Sequence, residues 1–159
     1  MYKRQATKGE GVLSYSPLST GITYQLIPKV TADGIALHTM GYGRTSAKNG
    51  QIFRNVFNFP ANYWDGASVG IKHLLDINNG DIKGKKVALV YHNSAYGKEP
   101  IRTLEELSKK HGYELMLLPV DHPGQEQKSQ WLQIRREKPD YVLMCCLLYT
   151  SPSPRDSSK

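Results

Sequence analysis

Three short stretches of this 159-residue sequence carry groups that could do chemistry. The first, Ser16-Pro-Leu-Ser-Thr-Gly21, is rich in hydroxyls and leads into a helical pattern. Ser16, Ser19 and Thr20 can cap that helix, or they can join its first N–H groups in holding a carboxylate. The second is Gly41-Tyr-Gly-Arg-Thr-Ser46. Gly41 and Gly43 let backbone approach a ligand closely, and Tyr42 or Arg44 could contact it; a plain loop fits equally well. Ser46 stands where the last glycine of a dinucleotide fingerprint belongs, so that motif is absent. The third is His92-Asn-Ser-Ala-Tyr-Gly97. Tyr96 can cover an apolar ligand or hydrogen-bond a polar one, or simply pack in a strand–helix turn. His92 and His122 both follow strand-like runs, yet no serine or cysteine occupies a GxSxG elbow and no HExxH spacing occurs. No catalytic residue, metal ligand or cofactor is assigned. Trp64 and Trp131, at helical spacing, read as core.

Each stretch follows a short β-like run, and these runs alternate with helical segments. That is the pattern of βαβ units around a parallel sheet, an α/β fold. Gly11 to Ser16 reads as a strand end. Ile22, Leu26 and Val30 then recur at helical spacing up to Gly34, with Pro28 implying a kink or a late start. Ile35 to Thr39 is a second strand, and Gln51 to Phe57 an extended segment. A helix over about 61–78 presents Trp64, Ala67, Ile71 and Leu74 on one face. Lys86-Val-Ala-Leu-Val-Tyr91 is the clearest strand, an apolar run suited to a sheet covered on both sides. A helix from Pro100 to His111 turns Ile101, Leu104 and Leu107 inward, with Glu105–Lys109 and Glu106–Lys110 as i,i+4 pairs. Strand Tyr113 to Val120, helix Gln125 to Lys138 and strand Asp140 to Met144 complete the series. In open parallel sheets, ligands bind beyond the carboxyl ends of the strands, where the three stretches fall.

Composition narrows the function classes. The net charge of +7 is dispersed, with no basic run interleaved with aromatics, which argues against nucleic acid as a partner. No run of eighteen apolar residues encodes a membrane span, so direct membrane insertion is not expected. The only cysteines, Cys145 and Cys146, are adjacent and make no metal spacing. The two ends read differently from the rest. Cys146 to Asp156 resembles the translation of a transposase adapter from a sequencing library. Met1-Tyr-Lys-Arg-Gln5 resembles the opposite strand of that adapter, with GTG taken as the start. Residues 1–5 and 145–159 are therefore expected to be adapter-derived, leaving Ala6 to Met144 as the readable sequence.

Within that sequence, Gly84-Lys-Lys-Val-Ala-Leu-Val-Tyr-His-Asn-Ser-Ala-Tyr-Gly-Lys-Glu-Pro100 resembles type I periplasmic binding proteins of the branched-chain amino-acid ABC-transporter family. Ser19-Thr-Gly21 and Gly34-Ile-Ala-Leu-His-Thr39 resemble the same family, and the element order agrees. The resemblance implies two doubly wound parallel-sheet lobes with a ligand cleft between, only part of each present: residues 6–57 end lobe one and 58–144 begin lobe two. It implies a small-molecule solute as ligand and ABC permease membrane subunits as partners, in the periplasm or another extracytoplasmic space. By the same resemblance the Ser16–Thr20 turn holds a ligand carboxylate, Gly41 to Gly43 contact carboxylate and amine, and Tyr96 meets the ligand from lobe two. Gly43 stands where amino-acid binders offer a threonine hydroxyl, and the acid that fixes the ligand amine would lie beyond the chain. Amides, urea and other small polar solutes therefore join branched-chain amino acids as expected ligands. Two other readings are a sensor domain of the same fold and an α/β hydrolase using His92 or His122.

Overall fold

The computed structural model describes residues 11–39 and 44–146, and the chain divides into two compact units, Met1–Gly66 and Ala67–Lys159. In the first unit, strands β1 (Ser14–Tyr15), β2 (Ala36–His38) and β3 (Val56–Phe57) form a parallel sheet in that order. Ser14 pairs with Ala36, and Leu37 with both Tyr15 and Val56. Helix α1 (Thr20–Asp33) links β1 to β2 and turns Ile27 and Val30 onto Ile35, Leu37 and Val56. Pro28 lies inside α1, exposed, and neither delays nor ends it. The helix stops at Gly34, whose φ of 68° is the left-handed conformation that glycine adopts freely. The Gly34 amide bonds back to Thr31 and the Ile35 amide to Val30, closing the last turn.

Between β2 and β3 the expected extended run is shorter than its alternation suggests. Thr45–Lys48 forms a 3-10 helix, and Gln51 to Asn55 are mostly in turns rather than extended. Asn49 causes this: its carbonyl accepts from the Ile52 and Phe53 amides at 3.1 and 3.0 Å, and its side chain from Gln51 at 3.2 Å. A side-chain acceptor two residues back offers the backbone a turn in place of a ladder.

In the second unit, β4 (Lys86–His92) is flanked by β5 (Glu114–Val120) and β6 (Tyr141–Cys145), all parallel, in the order β5-β4-β6. The residues of β4 point alternately to two covered faces. Val87, Leu89 and Tyr91 meet Ile71 and Leu74 of helix α2 (Tyr63–Ile77) and Leu104 of a later helix. Ala88 and Val90 meet Leu118, Val120 and Ile134 on the other face. Each fully buried leucine or valine here contributes roughly 1.5–3 kcal/mol. The one-turn helix α3 (Ala95–Lys98) follows β4, and α4 (Ile101–His111) leads to β5. Helix α5 (Lys128–Glu137), which carries Ile134, leads to β6. It starts later than its sequence pattern because Gln127 is drawn into the preceding turn, donating its buried side-chain amide to the Gly124 carbonyl at 2.8 Å. On α4 the ion pair is Arg102–Glu106 at 3.0 Å, not Glu106 with Lys110. Trp64 and Trp131 are half-buried rather than core: Lys48 lies 4.9 Å from the Trp64 ring, and the Trp131 indole donates to Gln127.

Tyr113 closes the α4 side of this core. It is 3% exposed and donates its hydroxyl to the Leu104 carbonyl at 2.6 Å. Burial pushes its pKa up to about 12. The folded value exceeds that of a free tyrosine near 10, so this group's contribution to stability is complete below that pH and is lost as pH rises toward 12. Tyr113→Phe is expected to cost about 1 kcal/mol in urea unfolding at neutral pH, through the lost hydroxyl–carbonyl bond. It should also remove a tyrosinate absorbance step near 12 in alkaline titration.

Candidate functional site

In the first unit the strand-end chemistry gathers at the start of α1. Ser19 is the N-cap: its backbone is extended, and its hydroxyl accepts from the Ile22 amide at 3.4 Å. Its carbonyl takes the Thr23 amide at 2.9 Å and the Thr23 hydroxyl at 3.0 Å. The amides of Thr20 and Gly21 therefore lie ahead of the first intrahelical bond, at the positive end of the helix dipole. Ser16 is exposed just beyond β1. Thr20 is 3% exposed, and its hydroxyl has no hydrogen-bond partner among the described residues. Capping accounts for Ser19 but leaves the Thr20 hydroxyl unexplained, and a buried unpaired hydroxyl is costly.

The same end of this sheet holds a polar network that the sequence reading missed. The buried Thr39 hydroxyl, just past β2, bonds to the Asn58 side-chain oxygen. Asn58, just past β3, donates its amide to the Arg44 carbonyl at 3.2 Å. Arg44 stacks its guanidinium over Tyr24 and Phe53, 5.3 and 5.2 Å from their ring centres, and bonds Ser46 at 2.8 Å. The network anchors Arg44, the residue that follows the Gly41-Tyr-Gly segment. Gly41, Tyr42 and Gly43 themselves lie outside the described residues. A polar residue directly after each of two adjacent strands was the signal available for Thr39 and Asn58.

In the second unit, β4 ends at His92 and α3 begins at Ala95. His92 is 5% exposed; its Nδ1 lies 2.8 Å from the Ser94 hydroxyl, and its ring meets His122 edge-on at 5.9 Å. The Asn93 side chain donates to Asp121 at 2.6 Å, tying the ends of β4 and β5 together. The Ser94 hydroxyl and the His92 ring thus form a side-chain pair at the end of β4.

Tyr96 is half-buried in α3 and hydrogen-bonds the Cys145 thiol at the end of β6. Burial pushes that thiol's pKa up, opposed by the Tyr96 hydrogen bond and assisted by the nearby charges of Cys146 and Glu99. Gly97 explains why the tyrosine stands where it does. A Cβ at this position would collide with the His92 carbonyl oxygen and approach the His92 amide nitrogen to 2.7 Å. Only a residue without a side chain lets α3 fold back onto the end of β4 next to Tyr96. Charge pairs lie at the opposite, amino end. Asp140 accepts from the Lys86 amide at 2.8 Å and from the Lys85 ammonium at 3.1 Å, which together hold its carboxyl below the usual range.

Ser19 and Thr20 thus stand at the start of α1, Ser16 is exposed between β1 and that helix, and Tyr96 lies beside the end of β6 in the other unit. Short parallel sheets whose strands are joined through helices define an α/β protein of the doubly wound class. The chain matches the Periplasmic binding protein family over residues 4–148 and belongs to it. Among solved structures it is similar to one described as an ABC transporter permease from the Pseudomonas fluorescens group, at 39% identity and a TM-score of 0.77, covering 84% of this chain and 32% of that one. It shares the fold of a branched-chain amino acid ABC transporter from Thermus thermophilus with bound valine, at 17% identity and a TM-score of 0.77, covering 92% of this chain and 37% of that one. It also shares the fold of an ABC transporter solute-binding protein from R. palustris in complex with benzoate, at 16% identity and a TM-score of 0.75, covering 90% of this chain and 39% of that one. The chain spans only about a third of the length of these proteins. No curated protein matches it. Among the described residues no helix is long and apolar enough to cross a membrane.

The close approach at Gly97 generates a test. Gly97→Ala is expected to destabilise the protein by about 1–3 kcal/mol in urea unfolding, as overpacking against backbone does. Hydrogen exchange should show the loss of protection concentrated in 92–99, while the first unit keeps its protection.

Proposed function

We propose that this chain is part of the substrate-binding component of an ABC importer, and that its solute is small and amino-acid-like: a branched-chain amino acid, an amide or a urea. The observation that carries the reading is the start of α1. The Ser19 hydroxyl caps the helix there, and the neighbouring Thr20 hydroxyl is buried without a hydrogen-bond partner among the described residues. A carboxylate or amide oxygen offered to that turn would meet donors and a favourable dipole at once. Tyr96 is the contact proposed from the second unit, with Gly41, Tyr42 and Gly43 as further contacts from the first. Residues 6–57 are proposed as the end of one lobe and 58–144 as the start of the next. Binding is non-covalent and shifts a hinge equilibrium toward the closed form, which a membrane permease then receives. Membership in the periplasmic binding protein family supports an extracytoplasmic location.

The test is a thermal-shift panel on the full-length protein with branched-chain amino acids, other amino acids, amides and urea. A cognate solute at a hundredfold its dissociation constant should stabilise by about 2.7 kcal/mol. No shift with any of them would reject the solute class. With a hit in hand, Tyr96→Ala is expected to weaken binding at least about tenfold; an unchanged dissociation constant would remove Tyr96 from the site. Thr20→Val separates binding from folding. Replacing an unsatisfied buried hydroxyl with a methyl of the same shape should leave the urea midpoint unchanged or raised. The same substitution should weaken solute binding, and unchanged affinity would leave Thr20 a packing residue.

A further inference from the structure

The first unit also holds a pocket of about 300 Å³, bounded by the 3-10 helix Thr45–Lys48, the turn that follows it and the segment 58–62. That volume falls at the lower end of the range for small-molecule sites. None of Ser16, Ser19 and Thr20 lines it. The turn closed by Asn49 brings Phe53 and Arg54 round to the same pocket as Ala47 and Lys48. Val56 and Phe57 of β3 complete an apolar wall, and Phe57 is 48% exposed there.

The polar groups of the pocket divide into two kinds. Its two asparagines are committed to the scaffold. Asn58 donates to the Arg44 carbonyl and accepts from Thr39, while Asn62 accepts from the Trp64 and Asp65 amides and donates to the Asp65 carboxylate. The other two groups are cations. The Lys48 ammonium is held 4.9 Å from the centre of the Trp64 ring, which fixes an otherwise mobile side chain at the pocket. Among the described residues neither Lys48 nor Arg54 has an acidic partner within ion-pair distance. No aspartate or glutamate lines the pocket. The first unit's two carboxylates among those residues are elsewhere engaged or placed: Asp33 ends α1, and Asp65 is bonded to Asn62.

We propose that this pocket is a ligand site additional to the start of α1, and that it takes a small aromatic carboxylate. The ring lies against Phe53, Val56 and Phe57, and the carboxylate meets the Lys48 ammonium and the guanidinium fork of Arg54. Two cations without acidic partners attract an anion more strongly than either does alone, and the apolar wall gains by being covered. A neutral amide of the same shape keeps the ring and loses the charge. Acetate keeps the charge and loses the ring.

The experiment is calorimetric titration of the full-length protein with phenylacetate, phenylacetamide and acetate. Phenylacetate should bind at least about tenfold more tightly than either of the others. The double variant Lys48→Gln, Arg54→Gln should lose at least about tenfold for phenylacetate, lose nothing for phenylacetamide, and unfold in urea as cooperatively as the wild type. Ala61→Phe, at an exposed position that lines the pocket, should narrow it and weaken phenylacetate without removing a charge. A wild type that does not bind phenylacetate would overturn the proposal, as would one that binds the amide or acetate equally well. Phenylacetate binding unchanged in both variants would place the anion elsewhere on the protein and also overturn it.

Discussion

Strand β4 must satisfy its backbone on two edges while both of its faces are dry, and much of the second unit follows from how it does so. A buried peptide group without a partner costs more than most single side-chain contacts supply, so a fully covered strand needs neighbours on each side. Here β5 and β6 supply them, with Val87 to Tyr91 paired on both edges. The side chains then have no solvated face, which explains the unbroken run Val87-Ala-Leu-Val-Tyr91. The helices are a consequence: α2 and α4 cover Leu89 and its neighbours, and α5 covers the Ala88 side. With β4 held this way, the position of its last residue, His92, is set by the core. Everything at this strand end inherits that placement, from the Asn93–Asp121 tie to the turn that carries Tyr96.

The first unit solves a similar problem with less material. Its strands are two or three residues long, and Leu37 at the centre is fully buried. Helix α1 carries most of the covering surface, so its ends matter more than its interior propensity. Ser19 at one end and Gly34 at the other define its length despite Pro28 between them. That outcome has a physical basis. A proline on the solvent side of a helix removes one backbone bond, whereas the buried face of Ile27 and Val30 holds the whole segment to the sheet.

How much of this could be read from the sequence depends on whether the cause was local. Strand β4, helix α4 and the Gly34 stop were legible, because apolar period and left-handed glycine act within a few residues. The family resemblance was legible on the residues after β4, and the family match bears it out. What escaped were features whose cause lay in a partner. Asn49 converts an alternating stretch into turns with its own carbonyl and side chain. Gln127 delays α5 by bonding into the preceding turn, and Arg102 takes Glu106 from the expected lysine. Among the strand-end residues, Ser19 and Tyr96 were marked by type and position. Thr39 and Asn58 were not marked, because their pairing depends on β2 and β3 lying side by side. Gly97 lay in the motif, but its reason, the backbone of His92 directly beneath it, belongs to three dimensions.

The division of labour between scaffold and loops has one further consequence. The residues that hold the sheets are apolar and interchangeable within volume, so they say little about the solute. Among the described residues, those that differ chemically from their surroundings include the Thr20 hydroxyl, buried without a hydrogen-bond partner there, and the Thr39–Asn58 pair past the strand ends. Each carries a local cost in burial that the core of its unit absorbs. Such costs persist where a ligand offsets them, and the hydroxyl of Thr20 is the clearest case. Ser19 completes the helix start without it, and a valine would fill the same space. Among the described residues that hydroxyl makes no bond, so it is the group whose burial the fold alone leaves unexplained.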